Sequence, residues 1–392
     1  MANKRPLDDD VRVDDQIMSK KVKSLEFEIH EACENGDTNK VVELINGKTL
    51  LDVNELNRKQ TLLAAIENDD DVVVKELLQI NGIDVDIQGD DDYTPLHLAV
   101  ETKNVTCVRQ LLECNAKIDM LDTDEDTPLH VACNAGNFEI AKLLVKHGAA
   151  LNLINKWNGL APLHMAADSG NLEITKLLLE HGADVNLLGH LQDDSYRYTP
   201  LHCAIKEGNL EVVRELLKYN AYIDPNNFYK MTPLLLAVQY DNADIVLELL
   251  EYNVDVNAKD DIGYTALHTA VINVYCYNEF TVILRKLLKK GLNINAQDFN
   301  GHTALYMAVG MRRNLMTLEL LKNGANVNLL NTNRNSPLHL AVERMDKKLV
   351  GMLLKYGINF DLNLRNESGK TALELALEYG EHDIVKMISF HK

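Results

Sequence analysis

The stretch YTPLHLAVETKNVTCVRQLLECNAKIDM, residues 93–120, holds a phrase that returns down the chain: DTPLHVACNAGNFEIAKLLVKHGAAL begins at Asp126 and LAPLHMAADSGNLEITKLLLEHGADVN at Leu160. With the Thr of TPLH as anchor, the equivalent positions are Phe27, Gln60, Thr94, Thr127, Ala161, Thr199, Thr232, Thr265, Thr303, Ser336 and Thr371, spaced 33 to 38 residues apart. A steady period of about 20 to 50 residues marks a chain of stacked supersecondary units instead of closed globular domains.

Each unit is legible from local chemistry. Thr before Pro offers a capping hydroxyl, followed by a residue whose fixed φ suits the first helical position. Six of the eight prolines (Pro95, Pro128, Pro162, Pro200, Pro233, Pro337) occupy this slot, so proline starts helices here instead of breaking them. After a polar break such as ADSGNLE, a second helix carries apolar residues at helical spacing, as in Ile174, Leu177 and Leu178. Gly182 then stands where a left-handed residue closes the helix, and an extended, turn-rich segment leads to the next anchor. One such helix pair cannot bury both faces alone; stacking on neighbours of the same shape does so. The expectation is an all-α repeat solenoid.

Composition narrows the function. The formal charge is -19, from 59 acidic and 40 basic residues, which disfavours nucleic acid and anionic membranes as the main partner and suits a protein with a basic or mixed-charge segment. Six cysteines follow no disulfide spacing and most sit in apolar helical surroundings, which points to a reducing compartment. No window approaches the roughly 18 apolar residues that span a bilayer, and the start MANKRPLDDD is no signal peptide, so we expect a cytoplasmic protein without membrane insertion.

The TPLH phrase with its 33-residue period, the paired leucines late in the second helix and GADVN after it resemble the ankyrin repeat. The resemblance covers residues 24–392 in eleven units and is strongest from Thr94 to Thr232; residues 1–23 read as a disordered tail. It implies antiparallel helix pairs with β-hairpin fingers, protein binding along a concave face, and no enzymatic activity. Unit one, FEIHEACENGD, places Glu28 and Glu31 where apolar residues usually stand, and the last unit carries Glu381, His382, Asp383 and Lys386. Both ends therefore read as caps of a complete array. The segment between Leu187 and Thr199 lengthens a finger, and residues 271–283 lengthen the turn between two helices. The irregular units around Asn273 and Gly310 are expected to be the least stable.

No catalytic constellation, cofactor loop or metal site emerges. His97, His130, His164, His202, His268 and His339 each stand at least a full repeat from the next and cannot converge on a metal; in the family this imidazole ties neighbouring units together. Asp122, Asp124 and Asp126 open like a calcium loop, but position six is Thr127 and position twelve Cys133, where glycine and glutamate are required. NGKT at Asn46–Thr49 lacks the upstream glycine of a phosphate loop, since Val42 stands there. Lys4, Arg5, Lys20, Lys21 and Lys23 have the spacing of a bipartite import signal, interleaved with aspartates.

The resemblance also supplies a register, in which residues one, three and four before the anchor are finger tips and those seven and eight after it face the groove. It assigns Asp90, Asp91, Asp124 and Asp126 to acidic tips, and Trp157, Tyr196, Tyr198, Phe228, Tyr229, Met231 and Tyr264 to apolar and aromatic ones, with Tyr240 in the groove. These are the candidate partner-binding residues: aromatic anchors for affinity, carboxylates for steering. The function expected is a monomeric, non-enzymatic scaffold or adaptor. The alternative is a nuclear regulator that masks a basic segment of a transcription factor.

Overall fold

The computed structural model describes residues 25–47, 53–58, 60–189, 197–273 and 277–391. The basic N-terminal segment, Tyr196, Cys276 and most of the long finger before Thr199 lie outside them. The chain divides into two compact halves, Met1–Gln192 and Asp193–Lys392.

In the first half, α1 (25–34) pairs with α2 (Thr38–Asn46), and a short α3 (Val53–Arg58) precedes the pair α4 (Thr61–Glu67) and α5 (Asp71–Leu78). Three regular pairs follow: α6 (Pro95–Glu101) with α7 (Val105–Glu113), α8 (Pro128–Asn134) with α9 (Phe138–Lys146), and α10 (Pro162–Asp168) with α11 (Leu172–Glu180). The second half holds α12 (Pro200–Lys206) with α13 (Leu210–Lys218), α14 (Pro233–Gln239) with α15 (Ala243–Leu249), and α16 (Ala266–Asn273) with α17 (Tyr277–Lys289). It continues with α18 (Ala304–Gly310) and α19 (Asn314–Lys322), α20 (Pro337–Glu343) and α21 (Lys347–Tyr356), and α22 (Ala372–Glu378) and α23 (His382–Ser389). The pairs are numbered repeats 1 to 11 in chain order. Within each half, first helices stack on first helices, as α6 does on α4 and α8, and second on second, as α7 does on α5 and α9. The fold is an all-α repeat solenoid.

Repeat 4 shows why the sequence folds this way. The Thr127 hydroxyl accepts from the His130 amide, Pro128 occupies the first turn, and Leu129, Ala132 and Cys133 are buried. Asn137 caps α9 by accepting from the Ile140 amide, and Ile140, Ala141, Leu144 and Val145 turn one buried stripe toward α8 and the flanking helices. Each such side chain stabilises the stack by about 2 kcal/mol, and Leu144→Ala would remove about 2 to 5 kcal/mol because the gap cannot close. Gly182 is left-handed, with φ 90°, as its position after α11 requires.

Two expectations are corrected. The fingers are tight turns, not β-hairpins: among the described residues the only bridge is the isolated pair Gln297–Thr303. Residues 271–283 do not simply lengthen a turn either. Much of the extra length is helical, because α17 starts at Tyr277 and runs thirteen residues, with Phe280, Ile283, Leu284 and Leu287 buried. Phe280 anchors the added turn in the stack.

Candidate protein-binding surface

The surface rests on a tie repeated along the chain. In repeat 3, Nδ1 of His97 accepts from the Thr94 amide at 3.3 Å and from the Thr94 hydroxyl at 2.8 Å. Two donors on Nδ1 leave the ring proton on Nε2, which donates to the carbonyl of Asp126, the residue just before the next anchor, at 3.1 Å. His202 reaches Met231 O at 3.3 Å, His268 reaches His302 O at 3.0 Å and His339 reaches Lys370 O at 3.1 Å. His130 reaches Leu153 O at 3.0 Å, further back in a finger of different length. Burial holds the imidazoles of His97, His130, His202, His268 and His339 below the usual histidine pKa, with those of His130 and His202 at about 4. These rings are neutral structural pins.

The finger between ties is organised by one acidic or amide side chain. The Asp122 carboxylate accepts from the amides of Asp124 at 2.9 Å and Asp126 at 2.8 Å, and Asp260 and Asp298 do the same in repeats 8 and 9. Asn155, Asn227, Asn331 and Asn366 each accept one such amide. Successive fingers are then joined by backbone: Thr123 donates to Asp91 O and Lys156 to Asp124 O in the first half, and Asp261 donates to Tyr229 O and Phe299 to Ile262 O in the second. Sequence reasoning missed these residues as a class. The available signal was an Asp or Asn about five positions before most anchors.

The tie decides which finger residues are free. At Asp126, Met231, His302 and Lys370 the residue just before the anchor gives its carbonyl to the preceding histidine, which draws this position toward the finger's base. Met231, assigned to a tip, is buried at 9 % exposure and presents almost nothing to a partner. Tyr198 and Tyr264 stack on the histidines of their own repeats, with ring centroids 5.6 Å and 5.7 Å apart, as Tyr93 lies against His97 at 5.4 Å. Asp126 is half-buried and accepts from Asn155 Nδ2 at 2.7 Å; burial lifts its carboxyl to about 6, against the pull of that bond.

Further out, side chains project into solvent. Trp157 is 72 % exposed in the first half. In the second, Phe228 and Tyr229 are about half exposed and meet edge to face at 5.2 Å, and Ile262 and Phe299 continue the exposed apolar side chains on the next two fingers. Tyr240, at the end of α14, is also exposed.

In the first half the groove is acidic. Glu34, Glu67 and Glu101, each seven residues past its anchor, line a cleft of about 700 Å³ together with the tips Asp90, Asp91 and Asp124. Among the described lining residues only His30 can carry positive charge, and its Nε2 lies 3.4 Å from Glu34. The field is felt at Tyr93, whose phenol is pushed up to about 12 by burial and by the carboxylates of Glu101, Asp122, Asp126 and Asp124. Among the described residues no cluster of three or more His, Cys, Asp or Glu side chains could hold a metal ion, and no helix is long and apolar enough to cross a membrane.

Profiles described as "Ankyrin repeats (3 copies)" match residues 29–122, 103–189, 187–260 and 311–392, and one described as "Ankyrin repeat" matches residues 262–299. The chain belongs to the ankyrin repeat family, whose repeats generally mediate protein–protein interaction and are typically non-enzymatic. Among solved structures it is similar to the crystal structure of the human ASB11 ankyrin repeat domain, at 29 % identity and a TM-score of 0.48, over 54 % of this chain and 90 % of that one. No curated protein matches.

Proposed function

We propose that this chain is a non-enzymatic scaffold or adaptor whose N-terminal groove receives a basic or mixed-charge segment of a protein partner, with exposed aromatic tips as anchors. The observation that carries the reading is the cleft of repeats 1 to 4, where Glu34, Glu67, Glu101, Asp90, Asp91 and Asp124 meet with no lysine or arginine among the described lining residues. Such a cleft attracts cations over several ångströms and raises the association rate more than the affinity. Trp157, Phe228 and Tyr229 are of the residue types that supply the affinity, each worth about 2 kcal/mol when a partner covers it. A reducing, cytoplasmic setting agrees with the buried thiols of Cys33 and Cys107, which burial and nearby carboxylates push up to about 12.

Affinity capture from lysate with wild type, Glu67→Lys/Glu101→Lys and Trp157→Ala/Phe228→Ala/Tyr229→Ala tests the reading, once circular dichroism shows that all three fold. Loss of the same bound protein by both variants is the expected result. A bound set unchanged in both would overturn the assignment of groove and tips.

A further inference from the structure

The inner helix of each repeat starts at the finger and ends at the turn into the outer helix, so these turns lie at the end of the repeat remote from the fingers. There repeat 8 departs from its neighbours, because α17 runs thirteen residues against seven in α15. We propose that the cleft between the extended α17 and α15 is a docking site for an arginine side chain presented by a protein partner. The surface is separate from the groove and tips.

The cleft has a volume of about 490 Å³. Leu210, Val282 and Ile283 line it beside Asp241, Asp244 and Glu279, and no lysine, arginine or histidine is among its described lining residues. Glu279 and Val282 come from the first two turns of α17, so the added helix supplies both an acidic and an apolar wall. Val282 is 45 % exposed, an apolar side chain left open on an outer helix.

Two further observations point to a cationic occupant. Elsewhere on the second helices of this half and just past them, carboxylates have basic partners: Glu248 with Arg214 at 2.8 Å, Glu251 with Lys286 at 2.8 Å, Glu215 with Lys218 at 3.1 Å and Glu319 with Arg285 at 3.8 Å. Asp241, Asp244 and Glu279 make no such pair among the described residues. One oxygen of Asp241 is also shielded from solvent with no donor against it among the described residues, an arrangement that destabilises the carboxylate until a donor arrives. Arginine fits both walls. Its methylene stem covers Leu210, Val282 and Ile283, and its planar fork of N–H donors, charged at every physiological pH, serves carboxylates from several directions. Lysine offers the stem and the charge but no fork.

The test follows the methyl resonances of Val282, Ile283 and Leu210 in the full chain during titration with the tripeptide Ac-Ala-Arg-Ala-NH2, its citrulline counterpart, and agmatine, each to about 10 mM. Citrulline keeps the shape of arginine and removes the charge. Saturable shifts with the arginine peptide are expected, at least about tenfold weaker with citrulline, and abolished by Asp244→Asn/Glu279→Gln, two exposed sites whose change leaves the fold intact. Equal responses to arginine and citrulline would overturn the proposal, as would shifts confined to Leu63 and Leu98 in the acidic groove. Agmatine binding more tightly than the peptide would overturn the assignment to a protein partner. A groove that binds while this cleft stays silent would leave the proposed function standing and remove this inference alone.

Discussion

Repeats 1 to 3 and repeats 8 and 9 use one backbone plan for opposite chemistry. Seven residues past the anchor, the first group holds Glu34, Glu67 and Glu101, whereas the second holds Ile272 and Gly310, with Met311 next along. At the tips the first group has Asp90 and Asp91, and repeats 8 and 9 have Ile262 and Phe299. The tie beneath is the same in kind: Thr94 with His97 in repeat 3, Thr265 with His268 in repeat 8. The difference teaches where this fold is free to vary. Positions that fasten one repeat to the next accept few side chains, while those pointing into groove and solvent carry whatever chemistry binding requires.

That division can be broken most forcefully at a fastening. His130→Ala removes a buried ring, its bonds to Thr127 and its bond to Leu153 O. It should lower unfolding stability by about 3 kcal/mol, read from urea denaturation followed by circular dichroism. A loss below about 1 kcal/mol would show that the histidine is incidental to stacking.

The ties also predict acid sensitivity. Their imidazoles have folded pKa values below the ordinary 6.5, about 4 for His130 and His202. A base whose folded pKa is depressed contributes stability that is full above its unfolded pKa and is lost as pH falls toward the folded one. Stability should therefore drop between pH 6.5 and 4, by about 2 kcal/mol at pH 5 for each ring held as low as that of His130. Asp126, raised to about 6, works the other way, against the several histidines. A flat urea midpoint from pH 7.5 to 5 would contradict the neutral pins.

Groove residues should behave oppositely. Glu67→Lys/Glu101→Lys is expected to weaken binding of a lysine- and arginine-rich peptide about tenfold or more, to flatten its salt dependence, and to leave the urea midpoint nearly unchanged. Isothermal titration at two ionic strengths measures both effects. The smallest effect belongs to Trp157, 72 % exposed: Trp157→Ala should shift stability by less than about 0.5 kcal/mol. A larger loss would make that ring part of the fold and remove it from the binding surface.

Much of this was legible in the sequence because the anchors repeat. Thr–Pro starts, the second helix's apolar stripe and the left-handed Gly182 are local signals, and the structure places each where the spacing puts it. The finger register was harder. Counting back from the anchor treats every residue before it alike, yet the last one is drawn inward by the tie, which is why Met231 is buried while Phe228 and Tyr229 are exposed. Asp122, Asn227 and Asp298 recur five residues before their anchors, but their role was harder to read because their partners are backbone amides, which leave no complementary side chain in the sequence. The added turn of α17 was hidden for a different reason: residues 271–283 break the period, and periodicity alone cannot distinguish an inserted loop from an inserted helical turn.

One detail of the ties has a mechanical meaning. At the histidine position repeat 7 carries Leu235, so the ring that pins a repeat to its successor is missing there, whereas Tyr306 of repeat 9 keeps a tie of another kind, its hydroxyl accepting from Asn331 Nδ2 at 3.1 Å. Pulled from its ends, a stack fastened only to nearest neighbours peels one element at a time, and the yield force at each step follows the local pins. Force traces of the second half should show their lowest peak at the junction after repeat 7, giving the molecule a built-in tear line at which tension releases part of the array while the rest keeps its grip.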